Sequence, residues 1–177
     1  MEKNANDKLI WVDLFDKEIG SGDKLETHKK NQLHRAFSVF IVHDGKMLLQ
    51  KRAMGKYHSA GLWANACCSH PRWGEELTDA VQKRMEEELG IPLGSCQPKE
   101  LFAFNYFTKF HGLSEYEIDH VFLVDYDGAM HPDPDEIAEL RWVYLEDLKV
   151  EMEVAPQEFA SWFLIAAPRV LEYLANR

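Results

Sequence analysis

The sequence predicts a single α/β domain in which a sheet is layered with helices. Strand-like runs bounded by turn signals recur along the chain, and helical stretches are set among them. The length, 177 residues, suits one domain, since domains hold about 100–200 residues. Strands mixed with a few helices at this size favour a layered sandwich over a β-barrel or a helical bundle.

The strand-like runs are Leu9–Leu14, Ala36–Val42, Met47–Lys51, Leu62–Cys68, Leu101–Phe107, Ile118–Asp125 and Leu140–Tyr144. They are rich in β-branched and aromatic residues, and turn signals such as Asp44-Gly45 and Asp127-Gly128 lie beside them. The helices are Leu77–Leu89 and Glu158–Ala175; Gly90, with Pro92 just beyond, is the stop for the first. The sequence shows no internal repeat, low-complexity tract or linker. The domain therefore reads as 1–177, with an N-terminal extension over about residues 1–30.

A formal net charge of -10 argues against nucleic acid as a partner, because phosphate-backbone binding needs clustered Lys and Arg. It leaves room for a small anion in a local basic pocket. Cys67, Cys68 and Cys96 are odd in number and two are adjacent, a poor disulfide framework that suits a reducing compartment. Residues Met1 to Lys8 are polar, and the late apolar run Trp162 to Ala167 is too short to span a bilayer. The expectation is a cytoplasmic protein with no membrane partner.

On the first helix, Leu77, Ala80, Val81, Met85 and Leu89 form one apolar stripe. Glu88 and Arg84 each fall within about 20 degrees of Leu77 on that wheel, so both charges point with the core face. They form either an intrahelical i,i+4 pair or a cleft-facing pair, in which a carboxylate holds a metal and a guanidinium holds a phosphate.

At the end of the Leu62–Cys68 run, strand alternation puts Cys68 and His70 on one face and Cys67 and Ser69 on the other. Alone, each is more simply a core cysteine or a hydrogen-bonded histidine. Their place, where a strand stops before a loop leading to a helix, is a common one for functional groups. Glu115 and Glu117 form an E-x-E pair with Asp119 continuing the same face. These read either as an exposed sheet edge carrying charge against aggregation or as ligands. With His28, His34 and His70 they would make three imidazoles and two carboxylates, a set suited to a borderline divalent ion.

Several motifs occur in order: Leu33-His34-Arg35-Ala36-Phe37-Ser38, Lys51-Arg52-Ala53-Met54-Gly55-Lys56, and Gly61-Leu62-Trp63-Ala64-Asn65-Ala66-Cys67-Cys68-Ser69-His70-Pro71. Glu88-Leu89-Gly90, Glu115-Tyr116-Glu117 and Phe159-Ala160-Ser161-Trp162 follow. Together they resemble the type 1 isopentenyl-diphosphate isomerases, from about Lys24 to Trp162. The resemblance implies a Nudix-type α/β/α sandwich with a mixed sheet. It implies interconversion of isopentenyl and dimethylallyl diphosphate, a step in isoprenoid biosynthesis. The substrate is then a small prenyl diphosphate and the protein a monomer or weak homodimer.

Carried over position by position, the resemblance makes Cys68 and Glu117 catalytic, with Tyr106 assisting. It makes His28, His34, His70, Glu115 and Glu117 ligands of one divalent metal, Mn, Mg or Zn. Glu88 would reach a Mg ion bridging to the diphosphate. Lys24, Arg52, Lys56 and Arg84 would contact that diphosphate, and Trp162 would lie beside the hydrocarbon end.

The Nudix hydrolase box, G-x5-E-x7-R-E-U-x-E-E-x-G-U with U apolar, can be anchored on Gly90. Ser69 then stands for the first Gly, followed by Glu75, and Lys83-Arg84 replaces Arg-Glu. A carboxylate that hydrolases place on metal has become a cation, which favours isomerase over hydrolase. A non-catalytic binding module of Nudix shape is the third reading, and the joint presence of Cys68, Glu117 and the ligand positions counts against it.

Overall fold

The computed structural model describes residues 8–56 and 58–177. Residues 1–7 of the expected N-terminal extension lie outside them.

Strand β3 (His34–His43) is the axis of the fold, buried at all but its second and last positions. A strand covered by helices on both faces reads as such a near-continuous apolar run. Strand β8 (Leu113–Asp125) runs parallel along one side of it, from His34↔Glu117 to Val42↔Asp125. Its other side is shared in turn by three antiparallel strands. These are β1 (Lys8–Val12) at His34, β6 (Cys67–Ser69) at Phe37–Val39, and β4 (Lys46–Arg52) at Ile41–His43. Outer strands complete the sheet: β2 (Glu18–Asp23) on β1, β5 (Trp63–Asn65) and β9 (Ile137–Tyr144) on β4, and β7 (Lys99–Phe110) on β8.

Side chains of β3 alternate between two cores. Phe37, Val39 and Ile41 pack with Ala80, Val81, Met85 and Leu89 of helix α2 (Leu77–Leu89). Phe40 and Val42 pack with Phe163, Ala166, Ala167 and Val170 of helix α4 (Ser161–Ala175). With α2 on one face and α4 on the other, this is the expected α/β/α sandwich with a mixed sheet. Among the described residues no helix is long and apolar enough to cross a membrane.

The expected run Leu62–Cys68 is two strands, interrupted at Ala66, where the chain crosses from β4 to β3. The Asn65 amide spans the break, donating to the carbonyls of Val39 at 3.2 Å and Cys67 at 2.7 Å. Leu14 lies outside β1, in a turn where the Asp13 carboxylate accepts from the backbone N–H groups of Phe15 and Lys17. The last helix begins at Ser161 rather than Glu158, because a 3₁₀ turn at Pro156–Glu158 precedes an extended Phe159.

Strand β2, helix α1 (Lys24–Lys29) and helix α3 (Leu145–Val154) had no expectation. Strand β2 carries Gly20 and Gly22, and a Cβ on Gly22 would overlap the Trp11 indole at 2.1 Å. Helix α1 is too short for a periodic signal, and α3 buries only Leu148 completely. Residues 8–30 are therefore part of the sheet and its cover, not an appendage.

The stop of α2 is built as the sequence implies. Gly90 is left-handed (φ 65°), and its N–H reaches the carbonyl of Glu86. A Cβ there would meet His131 Cβ at 2.9 Å and its carbonyl oxygen at 3.0 Å. His131 and Asp133 in turn donate to the carbonyls of Leu89 and Glu88, so the close approach fixes the segment that delivers Glu136. Gly90→Ala should lower the unfolding free energy by about 2 kcal/mol through the positive φ and this overlap. An unchanged urea midpoint would contradict that account.

Candidate active site

Strand alternation sends Glu115, Glu117 and Asp119 of β8 to the α4 side of the sheet, the side shared by Val121 and Leu123. All three are buried, at 4%, 6% and 2% exposure. The sheet-edge reading of this stretch is therefore overturned, because β8 is paired on both sides, with β3 and β7.

Each acid meets a different partner. The Glu117 carboxylate accepts from His70 Nε2 at 2.8 Å and lies 3.4 Å from His34 Nε2. Burial pushes its pKa up, but the contacts with His34 and His70 prevail and hold it well below the ordinary carboxylate value. Glu115 pairs with His58 Nε2 at 2.7 Å; burial and the neighbouring Glu117 raise its pKa against that contact. Asp119 accepts from Ser38 Oγ at 2.8 Å, while its Oδ1 is buried without a hydrogen-bond partner. Burial, then Glu117, pushes this carboxyl well above the ordinary aspartate value.

His28 comes from α1, His34 from the start of β3 and His70 from the residue after β6. Their ring centroids lie 5.0–5.9 Å apart. With Glu117 they offer ligand atoms within 4.8 Å of one another. Burial lowers the His28 pKa to about 3 and the His70 pKa to about 4, so both rings are neutral, as metal ligation requires. His34 Nδ1 donates to the Gln32 carbonyl at 2.8 Å, which turns its Nε2 lone pair toward Glu117. A lone pair and an anion brought together in a buried place suit a cation between them. These four residues fit a divalent metal. Glu115, expected as the fifth ligand, lies outside the group and is engaged by His58.

A cavity of about 170 Å³ adjoins this cluster. Most of the expected residues line it: Lys24, Arg52, Lys56, Cys68, His70, Arg84, Glu88, Glu115, Glu117 and Trp162. His28 and His34 stand behind the wall, fully buried. Tyr106 is Glu117's direct cross-strand neighbour, but its hydroxyl is hydrogen-bonded to Ser161 Oγ at 2.7 Å and it does not line the cavity. Burial raises its pKa further.

Cys67 packs among the α2-side core while Cys68 faces the cavity, as alternation predicts. All three cysteines are free. Burial pushes the Cys68 thiol up to about 12, with Arg52 opposing, and Gln50 Nε2 donates toward its sulfur at 3.9 Å.

Arg52 lies over the Trp162 ring, 5.2 Å from its centroid, and Arg52 Nε is a buried donor without a hydrogen-bond partner among the described residues. Lys56 pairs with Glu136. Arg84 and Glu88 form the intrahelical i,i+4 pair. Arg84 donates to Glu87 at 2.6 Å and to Glu88 at 2.5 Å, and both Arg84 and Glu88 also line the cavity. Lys83 is tied to Glu75 at 3.0 Å. Lys83 keeps the positive charge of the Arg in the hydrolase box, whereas Arg84 puts a cation in place of a carboxylate and is paired with Glu87 and Glu88.

The NUDIX domain model matches residues 32–163. A curated relative from Aromatoleum aromaticum, an isopentenyl-diphosphate Delta-isomerase 2, is 42% identical over 93% of this chain and 87% of its own. The chain belongs to the isopentenyl-diphosphate Delta-isomerase family. The isomerase 2 of Photorhabdus laumondii is 44% identical over 88% of this chain and 87% of its own. Among solved structures, a MutT NUDIX hydrolase from Burkholderia pseudomallei aligns with TM-score 0.64 at 28% identity, over 78% of this chain and 98% of its own. A Deinococcus radiodurans protein aligns with TM-score 0.77 over 92% of this chain and 98% of its own; at 15% identity it speaks for the fold alone.

Polar cavity-lining residues that sequence reading missed as site residues in this isomerase are Ser38, His58, Ser69, Asp119 and Glu136; Ser69, expected on the face opposite Cys68, lines the cavity with it. Asp119 had a signal, since it continues the Glu115–Glu117 face. Ser38 had none, being a hydroxyl within a strand, and His58 and Glu136 arrive from loops whose placement depends on tertiary contacts. Replacement of His34 by Ala should weaken divalent-metal binding by at least about tenfold. Equilibrium dialysis against Mn followed by elemental analysis checks this, and full retention of metal would place the site elsewhere.

Proposed function

We propose the following division of labour for the isomerisation of isopentenyl diphosphate to dimethylallyl diphosphate and back. The observation that carries it is that the Cys68 thiol and the Glu117 carboxylate face one cavity from strands on opposite sides of β3. Moving the double bond requires a proton added at the terminal alkene carbon and another removed from the carbon beside the diphosphate-bearing one. Cys68 and Glu117 take the acid and base roles and exchange them when the reaction reverses. Tyr106, opposite Glu117 across the β7–β8 pair, assists at the carboxylate.

Protonation of an unactivated alkene gives a tertiary cation, so water must be excluded and the positive charge faced by a π surface. Trp162 supplies that surface, worth about 2 kcal/mol when desolvated. Its indole N–H is anchored on Asn65 at 3.1 Å, which fixes the plane of the ring.

Lys24, Arg52, Lys56 and Arg84 hold the diphosphate, whose remote binding energy orients the five-carbon end. His28, His34, His70 and Glu117 would hold a divalent ion, Mn, Mg or Zn, with Glu115 beside them, and Glu88 would hold a Mg that serves the diphosphate. Such ions supply Lewis acidity at the carboxylate and charge neutralisation at the phosphates.

Purified protein incubated with isopentenyl diphosphate and Mg or Mn should yield dimethylallyl diphosphate by proton NMR. Release of inorganic phosphate instead would favour a Nudix hydrolase. Cys68→Ala and Glu117→Gln should each lower kcat by about a thousandfold or more while keeping the circular dichroism of the folded protein. Near-normal turnover in Cys68→Ala would sink the assigned roles.

A further inference from the structure

His58 lies on the loop between β4 and β5, residues 53–62, which also carries Lys56. The loop is pinched at its base, where Arg52 N donates to the Leu62 carbonyl and Gly61 N to that of Arg52. Met54 of this loop is 76% exposed, whereas the His58 side chain is turned inward, at 8% exposure. Its ring stacks near Phe110 at 4.7 Å and meets the Trp162 edge at 5.7 Å. Its Nε2 reaches Glu115 Oε1 at 2.7 Å. One imidazole therefore joins three elements: the loop bearing Lys56, the β7–β8 hairpin and the first turn of α4.

Glu115 is two residues from Glu117 on the same buried face, and its carboxylate is paired with His58. A carboxylate on a strand can sweep through several rotamers unless a partner fixes it. The orientation of groups at a reacting centre matters on a scale of about 1 Å. We propose that His58 is a positioning residue for the isomerisation, holding the Glu115 carboxylate against the proton-transfer end of the cavity through its Nε2. This rests on the reaction assigned above. The ring's packing on Phe110 and Trp162 is a separate contribution, which holds the loop.

The two contributions can be separated by substitution. His58→Phe keeps a ring against Phe110 and Trp162 and removes the donor to Glu115. His58→Gln keeps a donor and removes the ring. If His58 acts through Glu115, His58→Phe lowers kcat by about ten- to a hundredfold, the value of one hydrogen bond to a charged group. Its KM for isopentenyl diphosphate then stays within about twofold, and His58→Gln returns kcat to within about threefold of wild type. If the residue only holds the loop, the order reverses: His58→Phe is active, and the loss in His58→Gln appears in KM.

Wild-type kcat in His58→Phe, a loss confined to KM, or a His58→Gln protein no better than His58→Phe overturns the proposal. Circular dichroism and thermal melts accompany the kinetics, with His58→Leu as a second donor-free variant. Failure of both donor-free variants to fold assigns the position to folding alone and also overturns it. A wild-type protein that does not isomerise the substrate overturns the reaction on which the proposal rests, a result distinct from loss or retention of kcat among the variants.

Discussion

The structure depends on the burial of three acids in a row. Glu115, Glu117 and Asp119 occupy successive positions on one face of β8, and pairing with both β3 and β7 prevents the strand from turning that face away. A one-residue slip of register would carry them to the α2 side of the sheet, together with Val121 and Leu123. Bringing an isolated carboxylate out of water costs several kcal/mol, so each must be paired or protonated. Glu117 is met by two imidazoles, Glu115 by one, and Asp119 accepts from the Ser38 hydroxyl. The imidazoles come from separate places, the start of β3, the end of β6 and the loop after β4. Assembly of the acid face is therefore assembly of the site.

The second constraint lies in α2. Arg84 and Glu88 sit on the side of the helix that also carries its core stripe, and Arg84 is hydrogen-bonded to both Glu87 and Glu88. In the hydrolase pattern this turn gathers carboxylates around metal. Here a guanidinium stands among them, and burial pushes Glu88 up while Arg84 pulls it down. The same cation lines the cavity. The fold is similar to that of the Burkholderia pseudomallei MutT NUDIX hydrolase, and the charge at this helical position departs from the hydrolase box.

Much of this was legible in the sequence because it rests on local periodicity. Helix α2 has the expected bounds, Leu77–Leu89, and the opposed faces of Cys67 and Cys68 follow from strand alternation alone. The convergence of His28, His34, His70 and Glu117 was not local, and only the motif resemblance suggested it. The break at Ala66 was hidden because an apolar run reads the same whether it pairs with one strand or changes partner midway. Strand β2, rich in glycine, was hidden because its glycines make room for Trp11 rather than mark a turn. His58 carried no periodic signal, as its burial arises where a loop, a hairpin and α4 meet.

That break at Ala66 also explains how the reactive and apolar parts of the cavity are kept in step. Cys67 and Cys68 are chemically identical neighbours, and a shift of one residue in β6 would put the wrong sulfur in the cavity. With three residues, β6 is too short to hold its register by hydrophobic pattern alone. Asn65, completely buried, supplies what is missing. Its amide donates to the Val39 carbonyl on β3 and to the Cys67 carbonyl, locking β6 against its neighbour. Its carbonyl oxygen accepts from the Trp162 indole N–H. A buried amide with partners on both ends is rigid, because any rotation leaves polar groups unsatisfied in a low-dielectric interior. The side chain that decides which cysteine faces the cavity thus also sets the plane of the Trp162 ring in the cavity wall.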